Sequence, residues 1–492
     1  MKKEPLAAAA REGRPTPTLK DQRALVAIDL GAESCRVSLL RWQHGCPSIQ
    51  LVHRFPNQAI ERVDGLHWDI DLILSELGRG LRDSANLASE GIRSIAIDGW
   101  AVDYVRLDAQ GQAIANPFCY RDERTIAAEP ALHKRITAET MRDITGVQLQ
   151  RINTVYQVFA DSPELRALRW INLPEYILYR LGGRPVSERT NASHTQMLDL
   201  EGQWSPQIFA ALESPLESAP SLVDPGTDLG SLTGPLAELP AFTNTRLIAP
   251  ACHDTASAIA SIPDAGNDWA YISSGTWSLV GTVLASPINT PQARAENFSN
   301  LRGVDGTFCF HKNVNGMWLL RQCIEAWNQH LAHEGREALT IQDLVESAAA
   351  APDLGYTLDV DDPDLLLPGH MPERINVQLS RRGLPLLDPS PQRAPQLACF
   401  LFHSLAARYA EVLRNVASIT GKRLQHLYIM GGGSQNQVLN RLTAEATGLE
   451  VLRAGTECST VGNFAAQLAA LEPSSNYAAR PTSVWAARLQ NL

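Results

Sequence analysis

Two stretches of this chain share one local pattern. Residues 24–40 (ALVAIDLGAESCRVSLL) and 268–284 (DWAYISSGTWSLVGTVL) each run from an apolar strand through a small-residue turn into a second, alternating strand. With Gly31 placed against Gly275, Ile28 falls on Ile272 and Leu39 on Val283. By pattern alone this is either chance, since strand–glycine–strand is common, or one unit occurring twice. Duplication would restrict the chain to two like α/β domains, each opening on a hairpin.

The rest of the chain fits an α/β reading. RSIAIDGW (93–100) and HLYIMGGG (426–433) are apolar runs ending at glycine, as buried strands do where they bring backbone to a ligand. Apolar residues at 397, 400, 401, 405, 409, 412, 413 and 416 keep helical spacing up to a stop at Gly421. The Pro/Gly-rich stretch 214–240 reads as a connector between halves, which places the boundary near residue 245.

With 492 residues, the chain has room for two to three domains. A net charge of −10 argues against a nucleic-acid binder but allows a small anion held by backbone dipoles and Mg²⁺. The eight cysteines are scattered without CxxC, the pattern of reduced thiols and not of a disulfide framework or zinc site. Residues 1–23 lack an apolar signal core and read as a disordered extension, and residues 473–492 as a tail. No stretch has the ~18 apolar residues of a membrane span, so a cytoplasmic protein is expected, monomer or homodimer.

The densest chemistry lies in residues 246–278. His253-Asp254-Thr255 opens a small-residue helix, and a strand then runs into Ser-Ser-Gly-Thr. Asp254 has two readings that can coexist: a helix cap, or a carboxylate that takes a proton from a hydroxyl. Asp29, ending the first strand, is a turn former or a Mg²⁺ ligand. Gly431 to Gly433 make a tight turn or a close approach to a flat ligand.

In order along the chain, VAIDLGAESCRVSLL, HRFPN, DGWAVDY, CYRDERT, HDTASA, SSGTWSL, DDPDLLLPGHMP and YIMGGGSQN resemble the FGGY carbohydrate kinases, and within them the L-rhamnulose kinases, over roughly residues 22–470. The resemblance implies two ribonuclease-H-like (actin-like ATPase) domains with a cleft between them, here 24–245 and 246–472. It implies ATP and Mg²⁺ as cofactors and transfer of the γ-phosphate to the 1-hydroxyl of a ketose such as L-rhamnulose. The base would be Asp254. Ala32, Glu33, Ser34, Cys35 and Arg36 would form the first phosphate loop, Asp29 the metal site, and Thr276, Arg321, Gly432 and Gly433 further ATP contacts. Trp100, Ala101, His253, Asp254, Thr255 and Asn313 would line the sugar, with Trp100 either an aromatic wall or core. Partners would be sugar and ATP, with no nucleic acid or membrane.

The chain departs from this pattern at four places. Where relatives read Asp-Leu-Gly-Ala-Ser-Ser-Gly-Arg, this chain has Glu33 and Cys35; Ala101 replaces a glycine and Arg321 a glutamine. A carboxylate facing phosphates repels them, so Glu33 is expected to point to solvent. Cys35 removes a residue free to take positive φ. Competing readings are a kinase for L-fuculose or a pentulose, a nucleotide-driven conformational protein, and a non-catalytic sugar-binding relative.

Overall fold

The computed structural model describes residues 19–263, 266–367, 369–455, 457–473 and 481–490. Two six-stranded sheets organise it. The first contains β1 (Ala24–Leu30), β2 (Ser34–Gln43), β3 (Cys46–Pro56), β4 (Ile92–Gly99), β5 (Thr227–Ser231) and β6 (Arg246–Ala249), in the order β5-β6-β4-β1-β2-β3. The second contains β7 (Trp269–Ser274), β8 (Trp277–Leu284), β9 (Ser299–Arg302), β10 (Phe308–Asn315), β11 (His426–Met430) and β12 (Glu450–Arg453), in the order β9-β10-β8-β7-β11-β12. In each, an antiparallel hairpin is followed by a parallel strand added beside its first member: β1 pairs with β2 and β4, and β7 with β8 and β11. The fold class expected from the sequence is thereby present in both halves.

The hairpins differ in one detail. The first turn spans Gly31-Ala32-Glu33 and the second only Gly275-Thr276, so Val37 faces Ile28 but Val280 faces Ile272. The expected match of Leu39 with Val283 is therefore off by one residue; Leu40 is the counterpart of Val283. In a strand, one residue decides which face a side chain takes.

The connector reading of residues 214–240 also needs correction. Within it, β5 pairs antiparallel with β6, with a bulge between Asp228 and Gly230, so the expected boundary at 245 falls between two strands of one sheet. The polar, glycine-containing segment TDLGS carries no apolar alternation that would have marked it as a strand.

Helix α1 (Ile70–Leu87) packs Ile73, Leu77 and Leu81 into the first lobe's core. Four later helices position the site: α2 (Asp254–Ala260), α3 (Trp318–His333), α4 (Ala394–Thr420) and α5 (Cys458–Leu471). Helix α4 ends, as expected, at Gly421 with φ 70°. Although α5 follows the second sheet, it lies on the first. Phe464, Ala465 and Leu468 pack with Leu25 and Ala27, and Gln467 donates to the Val26 carbonyl at 3.1 Å. α6 (Pro481–Gln490) adds Trp485, Ala486 and Leu489 to that cluster, so this part of the expected tail is packed helix.

Residues 19–23, assigned to the disordered extension, are likewise anchored: the Lys20 N–H donates to Glu472, and Glu472 receives Arg93 at 2.5 Å. Residues 1–18, 474–480 and 491–492 of those two expected segments lie outside the described residues. Among the described residues no helix is long and apolar enough to cross a membrane, and all eight cysteines are free.

Candidate active site

Parallel neighbours bring their C-terminal ends together, and three carboxylates use this. Asp29 on β1 stands in register with Asp98 on β4, and Gly99 bridges to His253, placing Asp254 on the next flank. Asp29 is nearly buried and accepts from Arg36 at 3.0 Å and from Ser459 of α5 at 2.8 Å. Asp98 is fully buried; Asn463 donates to its Oδ2 at 2.6 Å, while Oδ1 finds no partner among the described residues. Burial and the neighbouring Asp29 push the Asp98 acid well above the carboxylate range. The sequence reading had not singled Asp98 out.

Asp254 is the first residue of α2, with His253 as its cap. Its Oδ1 accepts the Thr255 N–H at 2.5 Å and lies 3.3 Å from His253 Nε2. The side chain is 34% exposed, yet protein surrounds it on the remaining sides; this desolvation, with Asp29 next, raises its acid to about 7. His253 is held neutral, with its pKa lowered to about 3 by burial and by His311; its ring lies 3.8 Å from that of His194. A neutral imidazole leaves Asp254 without a full counter-charge, which a general base near neutral pH requires.

The backbone before Asp254 is gripped from a distance. Glu188, fully buried, accepts the Cys252 N–H at 2.8 Å and the Thr190 hydroxyl at 2.5 Å, and Thr190 Oγ1 accepts the His253 N–H at 3.3 Å. Glu175 in turn accepts the Glu188 N–H at 2.9 Å. These two acids were missed in the sequence, where isolated glutamates carry no pattern.

The first hairpin turn is clamped from outside the hairpin. The Asn57 side-chain amide donates to the Gly31 carbonyl at 3.0 Å, and its backbone N–H to the Glu33 carbonyl at 2.9 Å; Arg54 donates to Ser34 Oγ at 3.2 Å. This gives the HRFPN motif its work. Ala32 and Arg36 are half-buried, whereas the Cys35 side chain is wholly buried in the first core. Cys35 lies in β2, opposite Leu30 and Phe55, so no positive φ is demanded there. Glu33 does not simply face solvent: Arg321 Nη1 of α3 reaches its Oε1.

The second turn receives the start of α3, whose Met317 and Trp318 N–H groups donate to the Gly275 and Thr276 carbonyls at 3.0 and 3.2 Å. The glycine triplet divides its labour. A Cβ on Gly433 would stand 2.0 Å from Ser274 Oγ, and one on Gly431 2.7 Å from the Ser274 carbonyl, so both are needed for packing on β7. A Cβ on Gly432 would meet no atom within 4 Å, leaving that position open to a ligand.

In the DGWAVDY loop, Trp100 and Ala101 are nearly buried beside His253. Asp103 takes Nε1 of both Trp68 and Trp100, at 2.6 and 3.0 Å, and the two rings lie 4.5 Å apart. Trp100 is thus mainly core. Val102 adopts φ 72°, which costs a β-branched residue ~1–2 kcal/mol; Thr154 and Gln157 hold its carbonyl at 2.7 and 3.2 Å. Asn313, on β10, binds Gln148 and Gln150 at 3.1 and 2.8 Å, and its buried Oδ1 finds no partner among the described residues. The 361–372 loop, whose Pro368 lies outside the described residues, is strapped down by Asp361, which accepts the Asn315 N–H at 2.9 Å and Arg408 at 2.8 Å.

Two lobes of this topology, with acids at the strand ends, define the two-domain, actin-like ATPase class of architecture. The profiles of the FGGY family of carbohydrate kinases match residues 24–260 (N-terminal domain) and 270–471 (C-terminal domain). Rhamnulokinase of Bacillus subtilis (strain 168) is 34% identical over 452 residues, 90% of each chain. Rhamnulokinase of Yersinia pestis is 37% identical over 458 residues, 91% of this chain and 90% of that one. The fold is shared with gluconate kinase from Lactobacillus acidophilus (TM-score 0.74, 16% identity, 95% of both chains). It is also shared with Plasmodium falciparum glycerol kinase with ADP (TM-score 0.71, 12% identity, 95% and 93%). The chain belongs to the FGGY family of carbohydrate kinases, and is an ATP-dependent sugar kinase.

Proposed function

We propose that this kinase phosphorylates the 1-hydroxyl of a ketose, L-rhamnulose, with Asp254 as general base. The observation that carries the base assignment is a carboxylate on the cleft, raised to about 7, beside a histidine kept neutral. Asp254 takes the hydroxyl proton as the phosphoryl group transfers, and Thr255 N–H keeps Oδ1 oriented while the other oxygen acts. The rhamnulokinase relatives support L-rhamnulose as the sugar. In this reading Asn313, whose Oδ1 finds no partner among the described residues, and Ala101 would contact the sugar, one from each half of the chain. Arg36 and Thr276, one per hairpin, are the phosphate contacts, and Gly432 gives the base and ribose room.

The donor set fits Mg²⁺. It consists of the hard carboxylate oxygens of Asp29, with Asp98 in register beside it, its Oδ1 without a partner among the described residues; the Arg36 guanidinium lies 3.0 Å from Asp29. Asp29 would hold the ion, which when bound neutralises charge on the transferring phosphates. Release of ADP across L-rhamnulose, L-fuculose and a panel of pentuloses tests the assignment, with the product's phosphate located by NMR. L-Rhamnulose should give the highest kcat/KM and a 1-phosphate; a pentulose preferred over it would displace the sugar assignment while leaving the kinase intact.

A further inference from the structure

Glu33 and Arg321, two of the four departures noted in the sequence, are each other's partners. They stand 288 residues apart, one in each lobe. Each is fixed to a different hairpin turn. Glu33 is part of the first turn, where its carbonyl is held by the Asn57 N–H. Arg321 lies one helical turn after Met317 and Trp318, whose N–H groups are bonded to the second turn, and its own N–H donates to the Met317 carbonyl at 2.9 Å. The ion pair therefore runs from hairpin to hairpin, across the gap where the polyphosphate belongs in the reading above, on which this inference rests. With side chains 56% and 40% exposed, both ends are open to a solute.

We propose that Glu33 and Arg321 form one charge-compensated gate of the nucleotide site: the empty cleft is tied by the pair, and an entering nucleoside triphosphate takes the guanidinium from Glu33. The exchange is downhill because an exposed ion pair is among the weakest in a protein, whereas guanidinium and phosphate make charge-assisted, forked hydrogen bonds. Either departure alone would harm the site. A lone Glu33 repels phosphates, and a lone Arg321 holds them without release. Together they leave the net charge of the two positions at zero, as the uncharged serine and glutamine of relatives do.

A double-mutant cycle tests this. Binding of ADP and of a non-hydrolysable ATP analogue is measured by titration calorimetry on the full chain, at low and high salt, for the parent, Glu33→Gln, Arg321→Gln and the double variant. Glu33→Gln frees the guanidinium and should tighten analogue binding about two- to five-fold at low salt, the gain fading at high salt. Arg321→Gln leaves Glu33 facing the phosphates and should weaken it about tenfold or more. The double variant should regain the parent's affinity, so that Glu33→Gln gains about tenfold or more in the Arg321→Gln background against two- to five-fold in the parent. Additive effects, or weaker binding by Glu33→Gln, would overturn the gate while leaving the nucleotide site in place. Absence of nucleotide binding in all four proteins, each shown folded by circular dichroism, would overturn the nucleotide reading and the gate with it.

Discussion

The structure gives the cap of α2 to His253 and leaves Asp254 as its first residue, so Asp254→Asn tests the base reading alone, because asparagine keeps the shape and an oxygen for the Thr255 N–H but cannot accept the proton. The wild-type acid, raised from 3.8 to about 7, is favoured in its protonated form by the fold. That preference stabilises the protein fully below pH 3.8 and is lost as pH rises through 7. Roughly three pKa units correspond to a ceiling of about 4 kcal/mol at ~1.36 per unit. Water reaches a third of the side chain, so screening reduces this to about 1–2 kcal/mol. Asparagine does not titrate. Its stability advantage over wild type should thus grow between pH 5 and pH 8, by about 2–8 °C in unfolding midpoint at ~2–4 °C per kcal/mol for lobes of this size. Turnover should fall by about 10²–10⁴ with sugar and nucleotide binding retained. In the wild type, kcat/KM should drop about tenfold per pH unit below pH ~7. The assays are coupled ADP release from pH 5.5 to 8.5 and differential scanning calorimetry of both proteins. A flat wild-type profile, or parallel midpoints for the two proteins across pH, would refute the desolvated-base argument.

Two further substitutions probe how that base is held. Glu188→Gln removes one acceptor from a fully buried network, costing about 1–3 kcal/mol; denaturant unfolding should show that loss, and kcat should fall with the sugar KM unchanged because the Cys252–His253 backbone loses its grip. In Gly462→Ala, the new Cβ would stand 1.7 Å from the Ser257 carbonyl where α5 crosses α2. The helices must separate, so the midpoint should fall by an amount equivalent to about 3 kcal/mol, with kcat reduced as Asp254 shifts at the start of α2.

What was legible in the sequence followed short-range rules. The hairpins, the apolar strands before Gly99 and Gly431, and the helix ending at Gly421 each rest on local spacing. The one-residue slip between hairpins escaped because aligning glycines assumes equal turns, and turn length is set by contacts from Asn57 and α3. β5 escaped because an edge strand with one neighbour needs little apolar alternation. The placement of α5 on the first sheet has no local signal at all. Its one hint is composition: Gly462, Asn463 and Gln467 are small or polar residues inside an apolar helix, and each now meets something specific on α2, β4 or β1.

The site divides along the same line. Asp29, Asp254 and the glycine triplet were readable because each ends or begins an element, and strand ends are where a parallel sheet gathers side chains. Asp98 sits at the end of β4 as Asp29 does at the end of β1, so the same rule applied twice would have found it. Glu188 and Glu175 obey no such rule. They become visible only when buried N–H groups must be satisfied, since the Cys252 carbonyl takes the Gly99 N–H but the Cys252 and His253 N–H groups turn to the Glu188 and Thr190 side chains. Glu33 and Arg321 show the limit most plainly. Taken singly, each looks like damage to a phosphate site; only the fold, by setting one hairpin turn against the other, reveals that each charge answers the other.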